Sequence, residues 1–287
     1  MRKSSQIETT SSPGENATIA APPIARPATA ERRPCGACRD ASRIRGSMCV
    51  MKRTTLLVTL LISFLSLPAL ASAESRFQVR CKSTHVASVD PIVAPGRRSE
   101  HEHEFFGNRS TNKDSTYRSM LRGATRCSTK DDTAGYWTPT LFRQDGSRVR
   151  AQSLLIHYRG EQGEHTRPFP KDLRMISHRF KVGPDPANLI VKFPECWTGK
   201  RTDSRDHMRH MAFATGKGCP STHPVRVPAL TEVFRYPVRS VARFHLSSGP
   251  LSTGHADFWN TWDQKALTEL VARCLNRTSE GCGRIDS

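Results

Sequence analysis

From residue 77 onward the chain is a succession of short apolar runs rich in β-branched and aromatic residues, each bounded by turn residues. Such runs predict strands, here over 77–80, 136–142, 149–158, 175–180, 189–193, 207–213, 230–236 and 241–246. Asp145-Gly146 between two of them is a hairpin turn signal, and proline recurs between runs, where loops and sheet edges tolerate it. The pattern changes once. Leu267, Leu270, Val271, Cys274 and Leu275 fall at i, i+3, i+4, i+7 and i+8, the apolar stripe of a helix. Many strands and one late helix predict a mainly β fold, a β-sandwich or jelly-roll-like single domain with one C-terminal helix.

The longest apolar run lies upstream and reads differently. Lys52 and Arg53 precede an apolar stretch over 54–70, and Ala71-Ser72-Ala73 follows. Basic flank, apolar run and small-x-small site make a secretory signal peptide that opens at Met51 and closes at Ala73. The run is short for a membrane span, so no stable span is expected after cleavage. Residues 1–50 are rich in Pro, Ala, Ser, Thr and Arg without apolar periodicity, so a disordered or wrongly assigned extension is expected there, with Met51 or Met48 as the start. The pair Cys35 and Cys38, with no partner pair, is a weak metal signal. The expectation is one secreted or periplasmic domain over 74–287.

Removing residues 1–73 sharpens charge and cysteine. The whole chain carries +18. Residues 1–73 hold ten Lys and Arg and four Asp and Glu, leaving 34 basic and 22 acidic residues and a net of +12. That balance suits an anionic polysaccharide or cell-wall polymer. Nucleic acid is not expected, because the basic residues are scattered and no nucleic-acid motif occurs. Six cysteines follow Ala73: Cys81, Cys127, Cys196, Cys219, Cys274 and Cys282. An even number in an exported chain implies disulfides, among about 15 connectivities. Local spacing favours Cys196–Cys219 and Cys274–Cys282, which leaves Cys81–Cys127.

Histidine and aspartate then carry the candidate chemistry. His101 and His103 share a face if they lie on a strand, with Glu100, Glu102 and Glu104 opposite. Two imidazoles on one face suit a metal or an acid/base pair; the alternative is two histidines bonded to loop carbonyls. Asp203 or Asp206 is placed to orient His207, or else to organise a loop through Asx-turns. His223 is held extended by Pro224. His255 and Asp257 precede the helix, where Asp257 would also serve as an N-cap. Trp197 is a candidate sugar platform, with Trp259 and Trp262 more suited to a core. His157, His178 and His245 lie in apolar runs and read as structural. Asn108-Arg109-Ser110 and Asn276-Arg277-Thr278 match the glycosylation sequon.

These segments resemble the domain-of-unknown-function family numbered nineteen ninety-six, found in secreted fungal and bacterial proteins. The resemblance rests on Asp90-Pro91-Ile92-Val93 with Pro95-Gly96 and Ser99-x-His101-x-His103; Phe193-Pro194-x-Cys196-Trp197 with Asp203-Ser204-x-Asp206-His207; Cys219-Pro220-x-x-His223-Pro224; and His255-x-Asp257-Phe258-x-Asn260-x-Trp262-Asp263. Thr261 departs from it, standing where a Gly is expected. Some fungal members carry carbohydrate-binding modules, so the resemblance implies a glycan or cell-wall setting.

Two functions follow as expectations. One is a secreted hydrolase or lyase acting on a polysaccharide, with His101, His103, His207, His223 and Asp257 as catalytic groups and Trp197, His255 and Asp203 at the substrate. His101, His103 and His207 would hold a divalent metal. The other is a non-catalytic module that binds a glycan or a metal. The sequence has no Gly-rich phosphate loop, no H-E-x-x-H and no G-x-S-x-G, which argues against nucleotide-dependent enzymes, zincins and α/β-hydrolases.

Overall fold

The computed structural model describes residues 75–277 and 282–286. The export signal over 51–73, the segment 1–50 with Cys35 and Cys38, and Thr278 of the second sequon lie outside the described residues.

The described chain is mainly β. In order it forms β1 (Arg76–Cys81), β2 (Ser83–Ala87), β3 (His103–Gly107), α1 (Tyr117–Leu121), β4 (Gly135–Pro139), β5 (Leu141–Phe142), β6 (Arg148–Val149) and β7 (Ser153–Arg159). Then come β8 (Arg174–Ser177), β9 (Phe180–Val182), β10 (Asn188–Lys192), β11 (Cys196–Trp197), β12 (Met211–Ala212), β13 (Val225–Arg226) and β14 (Ala229–Arg235). Last are β15 (His245–Leu246), β16 (Ala256–Trp259), α2 (Gln264–Leu270), a π-helical turn (Val271–Leu275) and β17 (Gly283–Arg284).

Two large sheets dominate, one ordered β17-β1-β7-β14-β10-β9 and the other β2-β3-β4-β16-β8. Their inner faces share one core. Phe106 of the second sheet meets Phe234 of the first at 5.3 Å between ring centroids, and Phe258 packs near Phe193. A buried chain of hydrogen bonds crosses the same interior. Trp262 Nε1 donates to Tyr158 Oη (3.0 Å), which lies 2.6 Å from Tyr136 Oη, and Tyr136 donates to Asp132 (2.8 Å). A smaller apolar cluster of Ile92, Phe105, Met120, Trp137 and Trp259 occupies the outer face of the five-stranded sheet.

The three disulfides are Cys81–Cys127, Cys196–Cys219 and Cys274–Cys282, the pairing that local spacing favours. The Asp145-Gly146 turn joins β5 to β6, with Gly146 at φ +79° and Asp145 Oδ1 accepting from Ser147 N at 2.8 Å. The C-terminal helix forms where the apolar stripe predicts it, capped by Asp263, whose side chain accepts from Ala266 N. No helix among the described residues is long and apolar enough to cross a membrane.

Four expectations need correction. The run 207–213 is a strand only at β12, because His207 turns the chain with φ +57°. The run 241–246 is a strand only at β15. Asp257 is no helix cap but a residue of β16, a strand the apolar pattern did not reveal. Alongside the late helix there is a short α1, capped by Thr116. Thr261, the departure from the family pattern, has no left-handed backbone; its hydroxyl donates to Thr133 O.

Candidate functional site

Strand alternation builds the site. Side chains two residues apart on a strand share a face, and three strands each place such a pair on the outer face of the five-stranded sheet. Phe105, Trp137, Asp257 and Ile176 are cross-strand neighbours in one row over β3, β4, β16 and β8. Two residues along, His103 stands opposite Pro139. The same register continued brings His255 and His178 alongside. Their rings lie 5.3 Å apart, and those of His103 and His255 5.7 Å. His101 arrives from the chain leading into β3, its ring centroid 4.4 Å from that of His103.

One ring nitrogen each of His101, His103 and His255 lies within 4.8 Å of the other two. A carboxylate oxygen of Asp90 and one of Asp257 lie equally close to each other and to His103. A third group, Cys81, Cys127 and Asp132, falls within the same limit, but its sulfurs are joined in a disulfide and offer no thiolate.

The tautomers follow from the partners. His103 Nδ1 is 2.9 Å from Val89 O and must donate to it. That leaves Nε2 as a bare lone pair, buried and without a hydrogen-bond partner, 4.0 Å from Asp90 Oδ2. His255 Nδ1 donates to Thr253 O at 3.0 Å, which likewise frees its Nε2, 3.3 Å from His101 Nε2. Two ligands about 2.1 Å from a tetrahedral ion stand about 3.4 Å apart, so this spacing, which is that of a hydrogen bond between the two rings, is also compatible with a ligand pair.

Electrostatics agree. Burial pushes the His103 imidazole well below its usual range, and the neighbouring His101 and His255 push it further. Burial takes His255 down to about 4 and also lowers His101. The histidines are therefore neutral, the form in which imidazole binds a metal. Both oxygens of Asp257 are buried and unpartnered, and burial, with Asp90 and Glu232 nearby, holds its carboxyl well above the usual carboxylate range. Burial also raises Asp90, although its Oδ1 accepts from Ile92 N and Val93 N at 2.9 and 3.0 Å. An ionised carboxylate left unpaired in such a place costs several kcal/mol. A cation among these groups would supply the missing partner for His103 Nε2 and for Asp257, with Asp90 beside them.

The cluster lies in a cavity of about 440 Å³, open to solvent, with His101, His255 and Asp257 among its lining residues. His207 and Asp206 line the same cavity, as do Arg97 and Arg98. His207 Nδ1 donates to Asp203 Oδ1 at 2.9 Å, so of the two expected partners it is Asp203 that orients the ring, while Asp206 organises the loop, accepting from Met208 N and Arg209 N. Asp203 also lies 3.7 Å from Arg174. His210 ties this loop to the sheet, with Nε2 on Arg174 O and Nδ1 on Ser204 Oγ. His207 is one of two non-glycine residues with positive φ among the described residues. Its left-handed backbone carries strain that a packed surrounding must hold.

The expected residues divide accordingly. His103 lies at ligand distance from His101 and His255 in one group and from Asp90 and Asp257 in another; His207 is in neither. His207 lines the same cavity, and Asp203, which holds its ring, does not. His223 does not line the cavity; its Nε2 lies 3.0 Å from Arg209 O in a surface loop. Trp197 does not line it either, since its Nε1 donates to Arg201 O and its ring packs on the core. Trp259 and Trp262 are buried. Asn108 of the first sequon is buried too, donating to Met120 O and Thr133 O. Of the glutamates, Glu102 and Glu104 face away and pair with Arg148 and Arg150, whereas Glu100 lines the cavity. Two residues escaped the sequence reading of the site. His178 sits two positions after Ile176 at a strand end, a period-2 signal. Asp90 stands before Pro91 as an Asx-turn residue.

The family model described as Domain of unknown function (DUF1996) matches residues 90–185 and 178–262. The chain belongs to the DUF1996 family. The matched span contains every side chain of the DUF1996 cavity named above, from Asp90 to Asp257. No curated protein and no solved structure matches the chain.

Proposed function

We propose that this protein is an exported, metal-dependent enzyme that cleaves an extracellular polysaccharide. The reading is carried by the three neutral imidazoles of His101, His103 and His255, which converge beside Asp90 and Asp257 at an open cavity. Nitrogen and oxygen donors of this kind suit a divalent transition ion such as zinc. An ion held there supplies Lewis acidity to an oxygen of the substrate or of water.

The protein's own groups handle the proton. In hydrolysis, water adds across a glycosidic C–O bond: its oxygen joins one fragment and a proton passes to the leaving oxygen. His207 lines the same cavity, its Nδ1 bonded to Asp203, which leaves Nε2 to take and return that proton. Asp206, held down to about 2 by the Arg209 amide and the Ser204 hydroxyl, keeps a negative charge beside it. The export signal over 51–73, the three disulfides and the glycan setting implied by the family resemblance support a substrate outside the cell.

The test is a panel of polysaccharides incubated with the purified protein, with and without a chelator. Product that disappears on chelation and in His103→Ala and His255→Ala supports the reading. An unsaturated, ultraviolet-absorbing product would assign elimination rather than hydrolysis within it. Polysaccharide binding with no product from any substrate would overturn it in favour of a binding module.

A further inference from the structure

We infer that the cavity is one end of a longer cleft that holds a linear anionic polysaccharide leading away from the His101–His103–His255 cluster; this rests on the reading just given. Three cavities join end to end. The site cavity shares Ile176, His178, His207 and Met208 with a neighbour of about 240 Å³. That neighbour shares Arg179 and Phe213 with a third, of about 710 Å³. The cleft therefore runs around edge strand β8, past the point where the chain crosses to β9 in the other sheet. The site cavity and the third are each large enough for a small ligand. Joined through the neighbour between them, they fit a chain of sugars better than a single one.

The lining chemistry selects the class. Cations stand at both ends: Arg97 and Arg98 beside the site, which Asp90, Glu100, Asp206 and Asp257 also line, and Arg179 and Lys192 in the far cavity, which Glu161 and Glu195 also line, Glu195 lying 3.6 Å from Arg226. Arg179 is laid over the Phe213 ring, 3.9 Å from guanidinium carbon to centroid, so its planar donors are pre-ordered for a carboxylate or sulfate. Between these ends the surface is apolar. Met208, 45% exposed, lies where the site cavity meets its neighbour, and Val93, 51% exposed, rims the site. Exposed apolar side chains between cationic ends match the C–H faces and acid groups of a uronate-type chain. Nucleic acid would ask instead for stacking platforms at each base, and the only aromatic side chains in the cleft are Phe193 and Phe213, both in its far half.

The experiment measures binding, not turnover. Oligogalacturonides from dimer to octamer, neutral cello-oligosaccharides and single-stranded DNA are titrated calorimetrically into wild type, Arg179→Ala/Lys192→Ala, Lys192→Glu and His101→Ala/His103→Ala proteins, each checked for fold by circular dichroism. Affinity for the acidic series is expected to rise with length. The Arg179→Ala/Lys192→Ala variant should lose about tenfold for the longest member, equivalent to one charge-assisted hydrogen bond, and nothing for the dimer. Lys192→Glu should lose at least as much. Length-independent affinity, equal binding of the neutral series or of DNA, or an unaffected Arg179→Ala/Lys192→Ala variant would each overturn the inference. Length dependence retained in His101→Ala/His103→Ala would uphold the cleft even if the metal reading failed.

Discussion

The Nε2 atoms of His101 and His255, 154 residues apart in sequence, lie 3.3 Å from each other. Neither ring is placed there by a local motif. His101 enters from the loop before β3 and His255 from the residue before β16, and the sheet register brings them face to face. That pair, with His103 close by, is the basis for separating the residues proposed to hold an ion from His207, which lines the same cavity outside that spacing.

The first prediction follows from this separation. His255→Ala should abolish metal retention, while His207→Ala should leave metal content unchanged and remove turnover. Asp203→Asn should lower turnover about 10–100-fold, the usual cost of losing the partner that orients a functional histidine. Metal content by plasma mass spectrometry beside product formation checks all three. Loss of metal in His207→Ala would contradict the division of roles between the histidine cluster and His207.

The left-handed backbone at His207 gives a second. His207→Ala and His207→Gly both remove the ring and its bond to Asp203, but only glycine takes φ +57° without steric cost. The glycine variant should be more stable than the alanine variant by about 1–2 kcal/mol, measured by urea unfolding.

Asp132 gives a third. It is buried beneath Tyr136, and burial raises its carboxyl to about 8. Below about pH 4 it is protonated in both folded and unfolded chains and contributes no pH dependence. Between about 4 and 8 the unfolded chain has released the proton and the folded chain has kept it, so stability falls as pH rises. The slope from this one group is at most about 1.4 kcal/mol per pH unit. Asp132→Asn keeps an acceptor for Tyr136 and should remove that slope. Glu232, also raised well above its usual range, first by burial and then by Asp132, keeps the larger of the two causes in Asp132→Asn, so the difference between the profiles reports Asp132 together with the part of Glu232 that depends on it. Parallel pH profiles for the two would contradict the prediction.

A fourth concerns the disulfides. The Cys81–Cys127 bridge closes a separation of 46 residues and Cys274–Cys282 one of 8. Loop entropy makes loss of the first more costly by about 1.5 kcal/mol. Paired Cys→Ser variants in thermal unfolding measure the difference.

Much of the framework was readable because it is local. Strand runs such as that of β14, the Asp145-Gly146 turn and the stripe of α2 each express a short-range rule, and two close cysteine pairs left one choice for the third. The site was readable only in halves. Period-2 spacing exposed His101 with His103, but the same spacing in His255 and Asp257 was obscured by the nearby helix start, and in Ile176 and His178 by their apolar setting. His207 shares the cavity with the histidine cluster but not its ligand spacing. Where it stands depends on a turn with positive φ and on pairing between distant strands, neither of which a linear pattern carries. His223 and Trp197 were credited for their motifs, yet each spends its polar atom on a nearby loop carbonyl.

The most direct test is zinc binding by the purified, metal-stripped protein, followed by isothermal titration in wild type, His103→Ala and Asp257→Asn, with circular dichroism confirming the fold. The account predicts one ion per chain, a loss of more than about 100-fold in affinity for His103→Ala, beyond what removal of an outer partner produces, and a clear loss for Asp257→Asn. No binding by wild type, or equal binding by wild type and a folded His103→Ala protein, would contradict it.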